Sequence, residues 1–163
     1  MNTCSDFERH ALNLGKLVGN LLTIEMAARM FIAKHDEKSS FIFSTQLPTV
    51  KAGDLVDNDA FTNPDDLRQT LRKYNKRAPS EYKVPIDEIV DLRDAIAHGR
   101  SFGFGNMKHL RLLKFSRKKI GEKVKVDLVK DMDDEWFVVN ICLLNTSIDK
   151  LTKSLNYETK EFA

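Results

Sequence analysis

Pro85-Ile-Asp-Glu-Ile-Val-Asp-Leu-Arg-Asp-Ala-Ile-Ala-His-Gly99 reads as one short helix with a defined start and stop. Pro85 opens the helix, where a missing N–H costs nothing. Asp87 and Glu88 in the first turn complement the positive end of the helix dipole. Gly99 is a natural C-terminal stop. Ile86, Ile89, Val90, Ile96 and Ala97 are expected to line one face. On a wheel of ~100° per residue, Arg93 then projects from the middle of the apolar stripe, while His98 lies on another side. A guanidinium there must be paired or reach a wet interface. Snorkelling, or an ion pair with Glu25 or another helix acid, would satisfy it without any chemistry. Asp94, one turn below His98, can accept the ring hydrogen bond and fix the tautomer. A purely structural His98 would simply occupy the last turn, where the helix dipole favours a cation.

Working outward, residues from about Asp6 to His35 form a long amphipathic helix. Leu14, Leu17, Leu21, Ile24, Ala28 and Phe31 recur every three or four residues, and Val18, Leu22 and Met26 widen the stripe into a broad buried face. Glu25 and Arg29, one turn apart, can pair. Residues 38–62 hold no helical period. Phe41-Ile42-Phe43 fits a short strand, and Pro48, Gly53, Asp54, Asp57, Asn58 and Asp59 read as loop. Asn63-Pro64-Asp65-Asp66 starts the next helix, with Asn63 as cap and Pro64 at the first helical position. Its thin apolar stripe is Leu67, Leu71 and Tyr74, its remainder is basic, and it should stop before Pro79. His109–Arg117 and Val124–Val129 partly alternate around Ile120-Gly121-Glu122-Lys123, the pattern of a β-hairpin. Asp133-Asp134-Glu135 opens a last helix reaching about Tyr157, with Ile141, Leu144, Ile148, Leu151 and Leu155 on its apolar face. The expected fold class is mainly α: a bundle of about four helices with a small β-hairpin appendage, in a single domain over residues 1–163.

The composition, 42% hydrophobic and 31% charged, is that of a globular chain. A net charge of +2 is silent about nucleic acid, but its distribution is not. Between Arg100 and Lys130 ten Lys or Arg face only Glu122 and Asp127, a local balance of 10 − 2 = +8. Arg100, Lys108, Arg111, Lys114, Arg117, Lys118 and Lys119 are therefore candidate RNA-backbone contacts, with Phe102, Phe104 and Phe115 available to stack on bases. A solvated hairpin whose charges block edge-to-edge aggregation, and whose Phe residues pack on the core, would show the same pattern. Ser101-Phe-Gly-Phe-Gly105 reads as a flexible loop; without a preceding strand and a following helix it is no dinucleotide fingerprint. Cys4 and Cys142 make neither a disulfide framework nor a zinc pattern and are expected as free thiols. His10, His35 and His109 lack metal spacing, so no metal or cofactor is expected. The opening Met1–His10 has no apolar signal core, and no stretch approaches the ~18 apolar residues of a membrane span, so the expectation is a cytoplasmic chain without a membrane partner.

Leu92-Arg-Asp-Ala-Ile-Ala-His-Gly99 resembles the signature of the HEPN family: Arg, a polar residue, three more positions, then His at a helix end. Arg93, Asp94 and His98 occupy those places. The resemblance extends loosely over the order of elements, a long first helix with Glu25 and Arg29, the signature helix, a hairpin and a long closing helix. It implies metal-independent RNA cleavage by homodimers in which the two signatures face each other, so that Arg and His converge across the two-fold axis. His98 would then move a proton at the ribose 2′-OH or the leaving 5′-oxygen, Arg93 would grip the phosphate, and Asp94 would orient His98. The resemblance also implies a toxin–antitoxin or phage-defence setting, with an antitoxin or a nucleotidyltransferase as partner. Some toxin-like members carry a Tyr two residues after the His as the modified position; here it is Arg100, a departure from that pattern. Other members are non-catalytic modules that bind RNA, a nucleotide or a protein.

Overall fold

A computed structural model describes residues 6–36, 47–103 and 109–161. The expected strand at Phe41–Phe43, together with Phe104 and Lys108, lies outside these residues. Among the described residues four α-helices dominate: α1 Asp6–His35, α2 Leu67–Arg77, α3 Ile86–His98 and α4 Asp134–Glu161. Strands β1 Arg100–Phe102, β2 Arg111–Ile120 and β3 Lys123–Asp131 form one antiparallel sheet in the order β1-β2-β3. The architecture is therefore mainly α with a small β appendage. No helix among the described residues is long and apolar enough to cross a membrane. Contacts divide the chain into two compact units, residues 1–21 with 88–144 and residues 22–87 with 145–163.

Along α1 the buried stripe is narrower than its sequence predicts. Leu17, Leu21, Ile24, Ala28 and Phe31 are buried, but Val18, Leu22 and Met26 are exposed. The buried residues keep the i, i+3, i+4 spacing, joined near the helix end by Ile32 and Ala33, and Val18, Leu22 and Met26 fall outside that arc.

The first unit buries Leu17 and Leu21 from α1, Ile89, Val90, Leu92 and Ala95 from α3, Leu112 from β2, and Phe137 and Leu144 from α4. The hairpin is as expected, with Ile120 opposite Lys123 and a two-residue Gly121-Glu122 loop. Gly121 has φ +62°, the positive value that tight hairpin loops need and that glycine adopts without strain. The 101–105 stretch differs from the flexible loop expected at its start. Ser101 and Phe102 lie within β1, because Arg100 pairs with Leu113 and Phe102 with Arg111, which satisfies one edge of β2. Asp133 caps α4 by accepting the Trp136 N–H at 2.8 Å.

The second unit is organised around Arg29, which is buried on α1. It donates to Glu25 Oε1 at 3.2 and 3.0 Å, to the carbonyls of Ala60, Asn63 and Asp65 at 3.2, 3.3 and 2.6 Å, and to Asn63 Oδ1 at 3.1 Å. This engagement explains why Asn63 is not the cap of α2. Its side chain serves Arg29 and also accepts the Asp65 N–H at 3.0 Å. Asp66 caps instead, in a reciprocal box with Gln69, so the helix begins at Leu67. Leu67, Leu71 and Tyr74 are buried as the stripe predicts, and the helix ends at Arg77, with Ala78 extended ahead of Pro79. The Tyr74 ring meets Phe31 edge-on at 4.9 Å, and its hydroxyl donates to the Tyr82 carbonyl at 2.9 Å.

Thr70 on α2 is buried, and its hydroxyl has no hydrogen-bond partner among the described residues. An unsatisfied hydroxyl opposes folding, whereas an isosteric methyl would not. Thr70→Val is therefore expected to raise the melting temperature by about 2–4 °C, the equivalent of about 1 kcal/mol. A fall in a thermal denaturation scan would mean that a hydrogen-bonded water had been lost.

Candidate functional site

The signature residues lie on the C-terminal half of α3 and at its junction with β1. The buried face of α3 is Ile89, Val90, Leu92 and Ala95, not the expected Ile86-Ile89-Val90-Ile96-Ala97 stripe. Ala97 is exposed, and Ile86 and Ile96 are half-buried. At ~100° per residue this turns the centre of the apolar face away from Arg93, which stands about 80° from it. The guanidinium is thus on the flank of the helix rather than amid the apolar stripe, and the Arg93 side chain is 38% exposed. Its partner is neither Glu25 nor a distant acid but the adjacent Asp94, whose Oδ1 accepts from Nη1 at 2.8 Å.

His98 is exposed in the last turn of α3. Its ring makes no hydrogen bond or ion pair among the described residues. Asp94 is engaged with Arg93 and does not hold the imidazole within the single chain. The structure brings Arg93 and Asp94 together and leaves His98 free.

Gly99 ends α3, as the sequence predicts, but by close approach rather than by a left-handed turn. Its N–H donates to the Ala95 carbonyl at 2.8 Å. A Cβ at this position would lie 2.2 Å from the Ala95 oxygen and 2.6 Å from Leu112 Cδ1. Glycine thus lets the chain leave the helix directly into β1, setting His98 one residue from the sheet.

Among the candidate RNA contacts, Arg100 lies over the Phe115 ring at 5.5 Å, a cation–π pair on the sheet face shared with Leu113. Arg111 is committed to Asp131, with Nε and Nη2 at 2.7 and 3.4 Å from the carboxylate. That hydrogen bond holds the Asp131 carboxyl below the usual carboxylate range. Lys114 is half-buried on the side of Leu112. Arg117, Lys118 and Lys119 are exposed near the tip of the hairpin and make no ion pair among the described residues. The ladder is irregular between Lys114 and Phe115 and again between Phe115 and Lys119, a feature that increases local twist. The charge reading is thus best met by Arg117, Lys118 and Lys119, and least by Arg111.

Comparisons with family models, curated proteins and solved structures returned no match.

Sequence reasoning missed a cavity of about 350 Å³ in the first unit. Phe7, Leu110, Met132 and Phe137 make its apolar wall, and His10 and His109 its imidazoles. Three separate segments contribute, 6–13, 109–110 and 132–137, so no local spacing could announce it. The His10 ring meets Phe137 edge-on at 5.2 Å, and burial lowers its pKa from the ordinary 6.5. No group of three His, Cys, Asp or Glu suited to a metal ion occurs among the described residues.

Two measurements follow from this geometry. Gly99→Ala is expected to cost about 1–3 kcal/mol in denaturant unfolding, because a backbone carbonyl cannot yield as a side chain tip could; unchanged stability would show that the α3–β1 junction is not close-packed. In an NMR pH series the His10 imidazole should titrate below 6.5. Its cation is the disfavoured form, so Phe137→Ala, which admits water, should move the midpoint upward. A wild-type midpoint at or above 6.5 would contradict the burial.

Proposed function

We propose that this chain is a HEPN-like, metal-independent endoribonuclease acting as a homodimer, with His98 and Arg93 as the catalytic residues. The observation that carries this reading is His98 itself: exposed, unengaged among the described residues, and one residue from the strand that begins the basic sheet. A free imidazole at a helix end can take the proton of a ribose 2′-OH. The 2′-oxygen then attacks phosphorus, the bond to the 5′-oxygen breaks, and that oxygen leaves with a proton. A second imidazole, supplied by the other copy, is the natural donor. The products are a 2′,3′-cyclic phosphate and a 5′-hydroxyl. Arg93, half-exposed on the flank of α3, has guanidinium donors beyond the one given to Asp94 and can stabilise the charge developing on phosphate. Arg117, Lys118 and Lys119 hold the RNA backbone without reading sequence.

A toxin–antitoxin or phage-defence role, with an antitoxin or nucleotidyltransferase partner, rests on the family resemblance alone. One observation favours a second reading, a non-catalytic HEPN-like module that binds RNA: Asp94 is paired with Arg93 rather than turned to His98.

Incubation of the purified chain with a mixed RNA pool in EDTA separates the two. The nuclease reading expects cyclic-phosphate ends and a loss of about 10²-fold or more in His98→Ala, with folding and dimerisation intact. Arg93→Ala should also lose cleavage. Equal cleavage by wild type and both variants would sink the assignment. RNA retention without cleavage, weakening steeply with salt and unchanged in His98→Ala, would establish the binding module instead.

A further inference from the structure

The cavity of the first unit lies at the root of the hairpin. His109 and Leu110 immediately precede β2, Met132 and Asp133 immediately follow β3, and the Met132 N–H closes the gap by donating to the Leu110 carbonyl at 2.8 Å. Helix α1 supplies Phe7 and His10, and α4 supplies Phe137. A volume of about 350 Å³ is at the small end of ligand sites.

Three features define what it can hold. The first is aromatic surface. Phe7 at the rim is 74% exposed, so its ring is open to a ligand. With the half-buried His10 ring it offers stacking surface for a planar heterocycle, while the buried Phe137, edge-on to His10 at 5.2 Å, closes the wall behind them. The second is charge. Asp6, Asp133 and Asp134 line the cavity, and its one arginine, Arg9, is already held by Asp6 at 3.0 Å and by Asp134 at 3.7 Å. A phosphate would meet net repulsion there, whereas a donor-rich base edge would not. The third is complementarity. Asp133 spends one oxygen on capping α4, and Asp134 meets Arg9 only at long range, so carboxylate oxygens remain to accept. Guanine presents a ring N–H beside an amino group, two adjacent donors that suit one carboxylate. Adenine and cytosine lack the ring N–H, and uracil lacks the amino group. His10, held toward its neutral form by burial, and His109 can donate to the oxygen and nitrogen acceptors of the same purine.

We propose that this cavity is a guanine-binding subsite, with Phe7 stacking on the base and Asp134 reading its Watson–Crick edge. The inference rests on the RNA reading above and deepens it. RNA held by the hairpin would place one base at the hairpin root, on the side of Phe102, while His98 lies on the side of Arg100. The subsite therefore selects sequence and does not take part in bond breaking.

The chain has a single tryptophan, Trp136, whose ring lies 5.1 Å from that of Phe137. Its fluorescence reports directly on the cavity. Titration with guanosine monophosphate should give a saturable change, with adenosine monophosphate about tenfold weaker and inorganic phosphate without effect, as the loss of one charge-assisted hydrogen bond requires. Asp134→Asn and the exposed Phe7→Ala should each weaken guanosine monophosphate by about tenfold without lowering the melting temperature. Equal response to both nucleotides, competition by phosphate, no saturable response, or unaltered binding in both variants would overturn the subsite. The RNA-pool assay distinguishes the two levels. Cleavage with no nucleotide response removes only the subsite, whereas guanine-selective binding with neither cleavage nor RNA retention keeps the subsite and removes the ribonuclease reading.

Discussion

One guanidinium supports the polar half of the second unit. The segment from residue 57 to 66 has no strand or helix to satisfy its carbonyl groups, and such groups cannot be left unpaired where water is excluded. Arg29 gathers the Ala60, Asn63 and Asp65 carbonyls, and Glu25 neutralises its charge from one turn below. Only a planar, forked donor set can do this from one side chain; a lysine offers a single point charge. The consequence reaches α2. Asp65 is anchored one residue before the Asp66 cap, so the first turn is fixed in place and the Leu67, Leu71 and Tyr74 stripe is delivered to the core in register.

A comparable economy governs the first unit. There the decisive constraint is absence of a side chain. Gly99 lets a strand carbonyl, a helix carbonyl and a leucine methyl crowd one Cα, and so the chain passes from α3 to β1 without a linker. His98 is consequently presented beside a sheet rather than at the start of a long loop. That arrangement fixes the last helical turn by its neighbours on both sides, a condition for any proton transfer that depends on orientation.

Much of this was legible in the sequence because terminal signals are local. Pro85 and Pro79 mark helix ends through backbone geometry alone, and the Gly121-Glu122 loop marks the hairpin in the same way, whereas the glycine at Gly99 is required by its tertiary neighbours. What escaped is decided by tertiary choice. Asn63 and Asp66 are both competent caps, and the competition was settled by Arg29, 34 residues earlier in the case of Asn63. Arg93 could not be placed on α3 from periodicity, because Leu92 and Ala95 compete with Ile96 and Ala97 for the core and a four-residue apolar tie has no local resolution. β1 is too short for alternation to reveal. The cavity at the hairpin root was invisible for another reason: it exists only where the segments 6–13, 109–110 and 132–137 meet. As for the catalytic candidates, the sequence singled out Arg93, Asp94 and His98 together, but only the Arg93–Asp94 pair is formed within one chain.

The outer edge of β3 has a further consequence for how the molecule behaves in bulk. It is the terminal strand of the sheet, with Val124, Val126 and Val129 exposed, Lys123 and Lys130 set among them, and Lys125 paired with Asp127 at 3.8 Å. Unpaired backbone and exposed valine invite a second strand, and like charge turns it away. That protection is electrostatic and therefore has a range, about 8 Å at physiological ionic strength and only about 3 Å in molar salt. Whether this edge accepts a further strand is thus a property of the buffer as much as of the fold.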